Sequence, residues 1–487
     1  MFAGDSRMRS KSLAGVILSA WVLICGGCGA DIALVLPNES AQPVDTDRYE
    51  LIARFVQISD TQIVDEESPG RLTVFAHLSG SAWRAQEAYS LLLLDGTIRA
   101  INKLHVARHP MDFLVHTGDS LDNAQFNELK WFLTVFDGGL IDPRSGPDDR
   151  EPSQIPDPLL DPHHPFETQG LYRRGVHGGA PTIPWYVLFG NHDRFAVGIL
   201  PIVTDLLGQR TSPLPLEHRP GLFFPLELDP TGFLSWAPIT PANPGPPPEI
   251  NLPSIVTPNP DRRFITDREF VDAHLRSTSD PPGHGFNPAE PDRSYYSVSP
   301  VPGLKLIALN SAAPFLEKPG LIYPEGAISF QQLNFLEGEL RDAQTRGECV
   351  VVASHHPSSA LNPAYGTALT APSLRALLNS YPCAKLHIAG HTHGNAVFDR
   401  GGYLEIVTGS ILDAPQQGRI IEIWRPVDPT DGDVEIRYRM FSHLDEITPL
   451  DDSHSGLFLD PLLPMRRTAA ELAGANAASV GAPSTGG

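Results

Sequence analysis

Phe113-Leu114-Val115-His116-Thr117-Gly118-Asp119-Ser120-Leu121-Asp122-Asn123 places a short apolar run directly before a Gly-Asp turn, with a second carboxylate three residues on. Phe113-Leu114-Val115 reads as a strand. Residues 123–136, carrying Phe126, Leu129, Phe132 and Leu133 near helical spacing, read as the helix that follows. The same grammar recurs along the chain. The run 53–58 leads into Ser59-Asp60-Thr61-Gln62, and 185–189 into Gly190-Asn191-His192-Asp193. The runs opened by Cys349 and Cys383 lead into His355-His356-Pro357 and Gly390-His391-Thr392-His393. Further helices are expected at 84–108, 330–345 and 373–380, and a strand at 304–309. Strands alternating with helices predict an α/β layered fold. Runs at 403–407, 419–423 and 434–438 read as closing strands, with antiparallel pairing expected.

Between these elements the chain is rich in breakers, with 42 glycines and 48 prolines in 487 residues, above the usual shares of about 7% and 5%. Residues 138–182 read as a long loop. Residues 205–293, which include Asn243-Pro244-Gly245-Pro246-Pro247-Pro248, read as a loop-rich insertion bordering the site. Residues 29–50 read as a polar linker, 51–445 as the domain, and 446–487 as a tail, irregular beyond 475. A net charge of -21 argues against a broad nucleic-acid-binding face.

The first 28 residues have the make-up of an export signal. Arg7, Arg9 and Lys11 precede an apolar run from Leu13 to Cys25, too short for a permanent span. The end of that run resembles a lipoprotein signal in which Cys28 is lipidated, although Cys25 stands where Leu is usual. Ordinary cleavage nearby is the alternative. The expected location is the bacterial cell envelope or periplasm, with membrane contact only through a lipid on Cys28. Beyond the signal, Cys349 and Cys383 are left either to pair or to remain buried thiols.

The five motifs together supply Asp, Asn and His in the number a two-metal site needs. Asp119 suits a bridging carboxylate. Asp60, Gln62 and His393 complete one metal, and Asn191, His355 and His391 the other. His391 and His393 would share a face on a regular strand, so the turn must redirect one. His163-His164 lacks matching partners and reads as exposed loop, and His116 and His387 as core histidines.

In this order the motifs resemble those of the calcineurin-like metallophosphoesterase superfamily, over roughly residues 53–410. The resemblance implies a four-layered αββα sandwich with two divalent metals. It implies that His192 protonates the leaving oxygen, with Asp122 orienting it, and that His355 rather than His356 is the ligand. Gln62 stands where the family usually has His. Its carbonyl is a harder, weaker donor, which favours Mn or Mg over Zn; of Mn, Fe, Mg and Zn, Mn is favoured. Asn123 stands where protein-phosphatase branches carry a phosphate-gripping Arg, which leaves Arg194 as a neighbouring candidate.

The expected activity is hydrolysis of a small phosphomonoester or phosphodiester by metal-bound hydroxide, with His192 as general acid. Two rivals stand beside it: a binding or scaffold protein on a decayed core, and a metal hydrolase of a non-phosphate ester.

Overall fold

The computed structural model describes residues 34–480 apart from 66–67, 69–83, 85, 108–109, 146–161, 205–209, 212–220, 224–226, 229–233, 236–253, 257–258, 313–321, 431, 448–456 and 458. The expected export signal lies outside these residues, as do most of 205–258. In chain order the first half carries β1 (Tyr49–Ile58), α1 (Ser90–Ala107), β2 (Phe113–His116), α2 (Phe126–Asp137), β3 (Trp185–Val187) and α3 (Asp267–His274). Next come β4 (Tyr296–Val301), β5 (Leu304–Leu309), α4 (Phe330–Arg346), β6 (Cys349–Ser354), α5 (Ala371–Asn379) and β7 (Ala384–Ala389). The chain then forms β8 (Ala396–Asp399), β9 (Leu404–Val407), β10 (Gln417–Pro426), β11 (Glu435–Ser442) and α6 (Leu463–Val480).

Among the described residues the main strands form two sheets, ordered β11-β10-β1-β2-β3 and β4-β5-β6-β7-β9-β8. Parallel strands make up β1, β2 and β3 in the first sheet, and β5, β6, β7 and β9 in the second. Antiparallel strands lie at both edges of the second sheet and at one edge of the first, whose other edge is the parallel β3. Of the three expected closing strands, β10 and β11 are antiparallel. β9 instead runs parallel to β7 and is antiparallel only to β8.

The strands are apolar on consecutive residues because both faces are covered. In β5, Leu304, Leu306 and Ala308 join the core that also holds Phe55, Val351, Ile388 and Ile421. Ile307 and Leu309 turn to the other face, with Leu336 and Leu340 of α4 and Leu374 and Leu378 of α5. On the first sheet, Phe132 and Phe136 of α2 pack on Trp185. The layers are therefore helix, sheet, sheet, helix. Buried Gln57 joins the two sheets beside the motif ends, donating to the Ala389 carbonyl and accepting from Thr408 Oγ1, each at 2.8 Å.

Local signals fix the helix ends. Ser329 caps α4 by accepting from Gln332 N, and Gly347 ends it at φ 68. Thr266 and Glu269 form a capping box on α3. Trp185 anchors the strand that leads to Asn191; it stacks on Phe136 at 4.1 Å and on His284 at 3.7 Å, and its Nε1 donates to Ser279. Trp185→Ala is expected to cost about 3–5 kcal/mol, read as a lower denaturation midpoint with an unchanged m-value.

Several expectations change. Residues 35–40, read as linker, dock on strands: Leu36 N donates to the Val397 carbonyl and Ser40 N to that of Tyr438. The tail, expected to be irregular beyond 475, is helical to Val480. His163 is buried, and only His164 is exposed. Cys349 opens β6 and Cys383 directly precedes the neighbouring β7, and both are free thiols. A register shift between Val350 and Val351 accompanies their separation. Cys349 joins the inter-sheet core, whereas Cys383 Sγ faces the Leu340 carbonyl of α4.

Candidate metal centre

The motifs meet where β1, β2, β3, β6 and β7 end. Asp60, Gln62, Asp119, His391 and His393 all have positive φ, between 41° and 71°. Non-glycine residues rarely hold this conformation, and its concentration here marks a strained, functional set of turns. The chain breaks sharply after β1, β2 and β7, where these residues lie. The two histidines of Gly390-His391-Thr392-His393 consequently diverge instead of sharing a face.

Close approach explains two of the motif glycines. A Cβ on Gly190 would lie 2.0 Å from Asp119 Oδ1, and one on Gly390 would lie 1.8 Å from Ser59 Oγ. Gly190→Ala is therefore expected to displace Asp119 and abolish divalent-metal binding, measured by calorimetry. Gly338→Ala is the control, since nothing lies within 4 Å of its new Cβ.

Ligand-capable atoms of Asp60, Asp119 and His393 lie within 4.8 Å of one another, and so do those of His355, His356 and His391. Asp119 links the groups. Its Oδ1 accepts from His192 N at 2.8 Å, and its Oδ2 lies 3.3 Å from His355 Nε2. Asp60 Oδ2 accepts from His391 N at 3.0 Å, while Oδ1 lies 3.3 Å from His393 Nε2. His355 Nδ1 donates to the Thr117 carbonyl at 2.9 Å, which turns Nε2 inward. Asn191 Nδ2 donates to the Gly198 carbonyl, leaving Oδ1 3.2 Å from His391 Nδ1.

The residues present fit a pair of divalent cations. Asp60 Oδ1, His355 Nε2 and His356 Nε2 are buried without a hydrogen-bond partner among the described residues, a costly state that a cation relieves. The electrostatics agree. Burial alone would depress His355 and His393, yet Asp119 holds His355 at about 9, and the hydrogen bond to Asp413 with the charge of Asp60 holds His393 at about 10. These carboxylates call for positive charge, and a metal would displace those protons.

Gln62 borders the first group of donors. Its Oε1 accepts from Arg84 Nη2 at 2.7 Å, and its Nε2 faces Asp119 Oδ2 and His393 Nε2, each at 3.4 Å. Asp122 meets His192 chiefly through its main chain, its carboxylate lying 3.5 Å from His192 Nδ1. His192 Nδ1 donates to the main-chain oxygen of Asp122 at 2.8 Å, and the carboxylate pairs with Arg84 at 3.0 Å. His356 is a buried neighbour whose Nδ1 meets Ser311 Oγ at 2.8 Å. Arg194 pairs with Asp267. Asn123 Oδ1 accepts from Val197 N.

Three residues carry roles the motifs did not reveal. Asp193 accepts from Leu121 N and Gly190 N, tying two motif loops together; burial and the charge of Asp119 push it up to about 8. Asp413 holds His393 Nδ1 at 2.6 Å, and Arg84 bridges Gln62, Asp122 and Asp413. Asp413 and Arg84 lie outside every motif, and only tertiary folding brings them in. As expected, His116 is a satisfied core histidine, meeting Thr61 Oγ1 at 3.0 Å. His387 is buried between Ser354 and Glu405.

The calcineurin-like phosphoesterase family profile matches residues 53–395. A manganese-dependent ADP-ribose/CDP-alcohol diphosphatase of Oryza sativa subsp. japonica is 25% identical over 151 residues, 23% of this chain and 47% of that protein. The chain thus matches about half the length of this curated relative. Similar solved structures include a dimetal phosphatase from Danio rerio, with 12% identity, a TM-score of 0.41, and coverage of 80% of this chain and 99% of that one. GAP50, the anchor in the inner membrane complex of Plasmodium, has 11% identity and a TM-score of 0.34, covering 85% and 96%. The family match runs from the first site strand to just past the last site histidine: the chain belongs to the calcineurin-like phosphoesterase family.

Proposed function

We propose that the protein hydrolyses small phosphomonoesters or phosphodiesters at a dinuclear centre, with manganese the favoured metal. Asp60, Asp119 and His393 would hold one ion, and Asp119, Asn191, His355 and His391 the other. The observation that carries this reading is the shared Asp119 carboxylate, set between two groups of inward-facing donors. When bound, the ions supply Lewis acidity to the phosphoryl oxygens and acidify the attacking water.

The chain supplies the rest. The Asp122 carbonyl fixes the proton on His192 Nδ1, so Nε2, 3.9 Å from Asp119 Oδ2, is the atom that delivers a proton to the leaving oxygen. Despite burial Asp60 and Asp119 are held below the usual carboxylate range, Asp60 chiefly by His393 and Asp119 by His355, a role that bound cations would take over. The basic and apolar runs before Cys28 support export to the cell envelope as part of the same proposal.

The name of the rice relative adds nucleoside diphosphate linkages to the substrates worth assaying. The test is turnover of a mono-aryl phosphate, a bis-aryl phosphate and ADP-ribose by the manganese-loaded, signal-free protein. Turnover inhibited by vanadate is the expected result, and the preferred substrate assigns the subclass. Fewer than one bound metal per chain, with no turnover, would favour the scaffold alternative.

A further inference from the structure

His387 of β7 stands in register with Val352 of β6 on one side and with Glu405 of β9 on the other. Val352 belongs to the apolar layer covered by α4 and α5. Neighbours in register share a face, so His387 and Glu405 interrupt that layer with two fully buried polar groups. A buried carboxylate is costly unless its oxygens are bonded, and Glu405 is bonded at both. Oε1 accepts from Ser358 N at 2.6 Å and lies 3.5 Å from His387 Nδ1. Oε2 accepts from Ser358 Oγ at 2.8 Å and from Arg400 Nε at 2.7 Å. Despite burial, His387 and Arg400 hold Glu405 below the usual carboxylate range.

These bonds converge on one loop. Ser354 directly precedes His355-His356-Pro357, and Ser358 directly follows it. Ser354 Oγ donates to the His356 carbonyl at 2.7 Å. A hydroxyl has a single proton, so Ser354 Oγ accepts from His387 Nε2 at 2.8 Å. Glu405 therefore grips the loop at both ends, directly at Ser358 and through His387 at Ser354. His387 also lies on the strand that leads to His391. Buried ionic groups seldom add stability over apolar packing, so what this cluster supplies is placement. Lys305 of β5 makes the contrast, since its bonds go to Glu339 and Asp342 of α4.

We propose that Glu405 is a positioning residue for the second cation: through Ser358 at one end and His387 and Ser354 at the other, it sets the loop that presents His355. The inference rests on the dinuclear reading above. It makes the second position, with His355 and His391, depend on a carboxylate on the far face of the sheet. The first position, with Asp60 and His393, does not share that dependence.

Manganese titration of the full chain by calorimetry tests this. The unaltered protein is expected to bind two ions. Glu405→Gln keeps the size of the side chain but loses its charge, and should weaken one ion by about tenfold or more. The other should change less than about threefold, short of the smallest loss that an outer partner causes. With two equivalents of manganese, electron paramagnetic resonance should then shift from a spin-coupled pair towards an isolated ion. Equal weakening of both ions, or of neither, overturns the inference and leaves the dinuclear reading intact. Absence of manganese from the unaltered protein overturns both.

Two further comparisons separate placement from general support. In a His355→Ala background, where the second position has lost its histidine, Glu405→Gln should change the remaining affinity less than about twofold. A tenfold change there would mean that Glu405 does not act through His355, and overturns the assignment. Lys305→Met removes a buried charge from the same layer. It should lower the denaturation midpoint and leave both affinities within about threefold. If it weakens one ion selectively, as Glu405→Gln does, the assignment also falls. Should Glu405→Gln fail to fold, Ser354→Ala decides, since it removes only the hydroxyl that links His387 to the loop: unchanged affinity overturns the inference.

Discussion

Asp119→Asn is expected to lower phosphoesterase turnover at least about a thousandfold, because outer groups that merely orient metal ligands already cost about 10–100-fold each. Asp119 does more than orient. Its two oxygens divide the work, Oδ1 fixing the His192 backbone and Oδ2 facing His355 and Gln62. Despite complete burial it stays ionised, held well below the usual carboxylate range by the charges of His355 and His192. Asparagine can keep the contact to His192 N but then turns an N–H2 group towards His355 Nε2. It also removes a negative charge from both cation positions at once. The measurement is kcat with manganese beside metal content and thermal stability. A folded variant holding fewer than two ions, with turnover lost, is the expected result. A variant within about tenfold of the parent, less than even an outer-group loss can cost, would mean that Asp119 does not bridge.

How far the site was legible depended on what kind of information each residue carries. Strand-then-motif order placed Asp60, Asp119, Asn191, His355, His391 and His393 together, because a strand's apolar run and the polar residue that ends it are adjacent in sequence. The expected strand at 304–309 coincides with β5, and the expected helix at 330–345 with α4, within a residue. What failed to show was anything decided across the fold. The contact between the Gln62 oxygen and Arg84, twenty-two residues on with no motif around it, is one example. That Asp122 meets His192 Nδ1 through its main-chain oxygen, with its carboxylate paired to Arg84, could not be read from the motif either. Within the segment expected as a tail, 446–487, the helix α6 was not announced. Alanine favours helix, and Leu462, Met465, Ala469 and Leu472 recur every three to four residues on a buried face. For Cys349 and Cys383, sequence could place both at strand starts, but not the register shift that accompanies their opposite facings.

His192→Ala is expected to lower kcat by about a hundredfold to ten-thousandfold on an alkyl phosphate ester, the range for losing a positioned proton donor. The defect should shrink on an ester whose leaving group is an acidic phenol, since that oxygen departs without help. This contrast separates proton donation from a structural role, which would depress both substrates equally. The geometry favours donation. His192 is 4% exposed, and its Nδ1–H is committed to the Asp122 carbonyl. Its Nε2 lies where Gly198 has no side chain, as a Cβ there would sit 2.2 Å away. Because the main chain orients the ring, Asp122→Asn should change kcat less than about tenfold, well short of losing the donor. It should instead lower stability, since Arg84 loses a buried partner, a class of change worth about 3–5 kcal/mol. A larger kcat loss in Asp122→Asn than in His192→Ala would place the proton donor elsewhere. Equal losses for His192→Ala on both esters would reduce His192 to a residue that shapes the site.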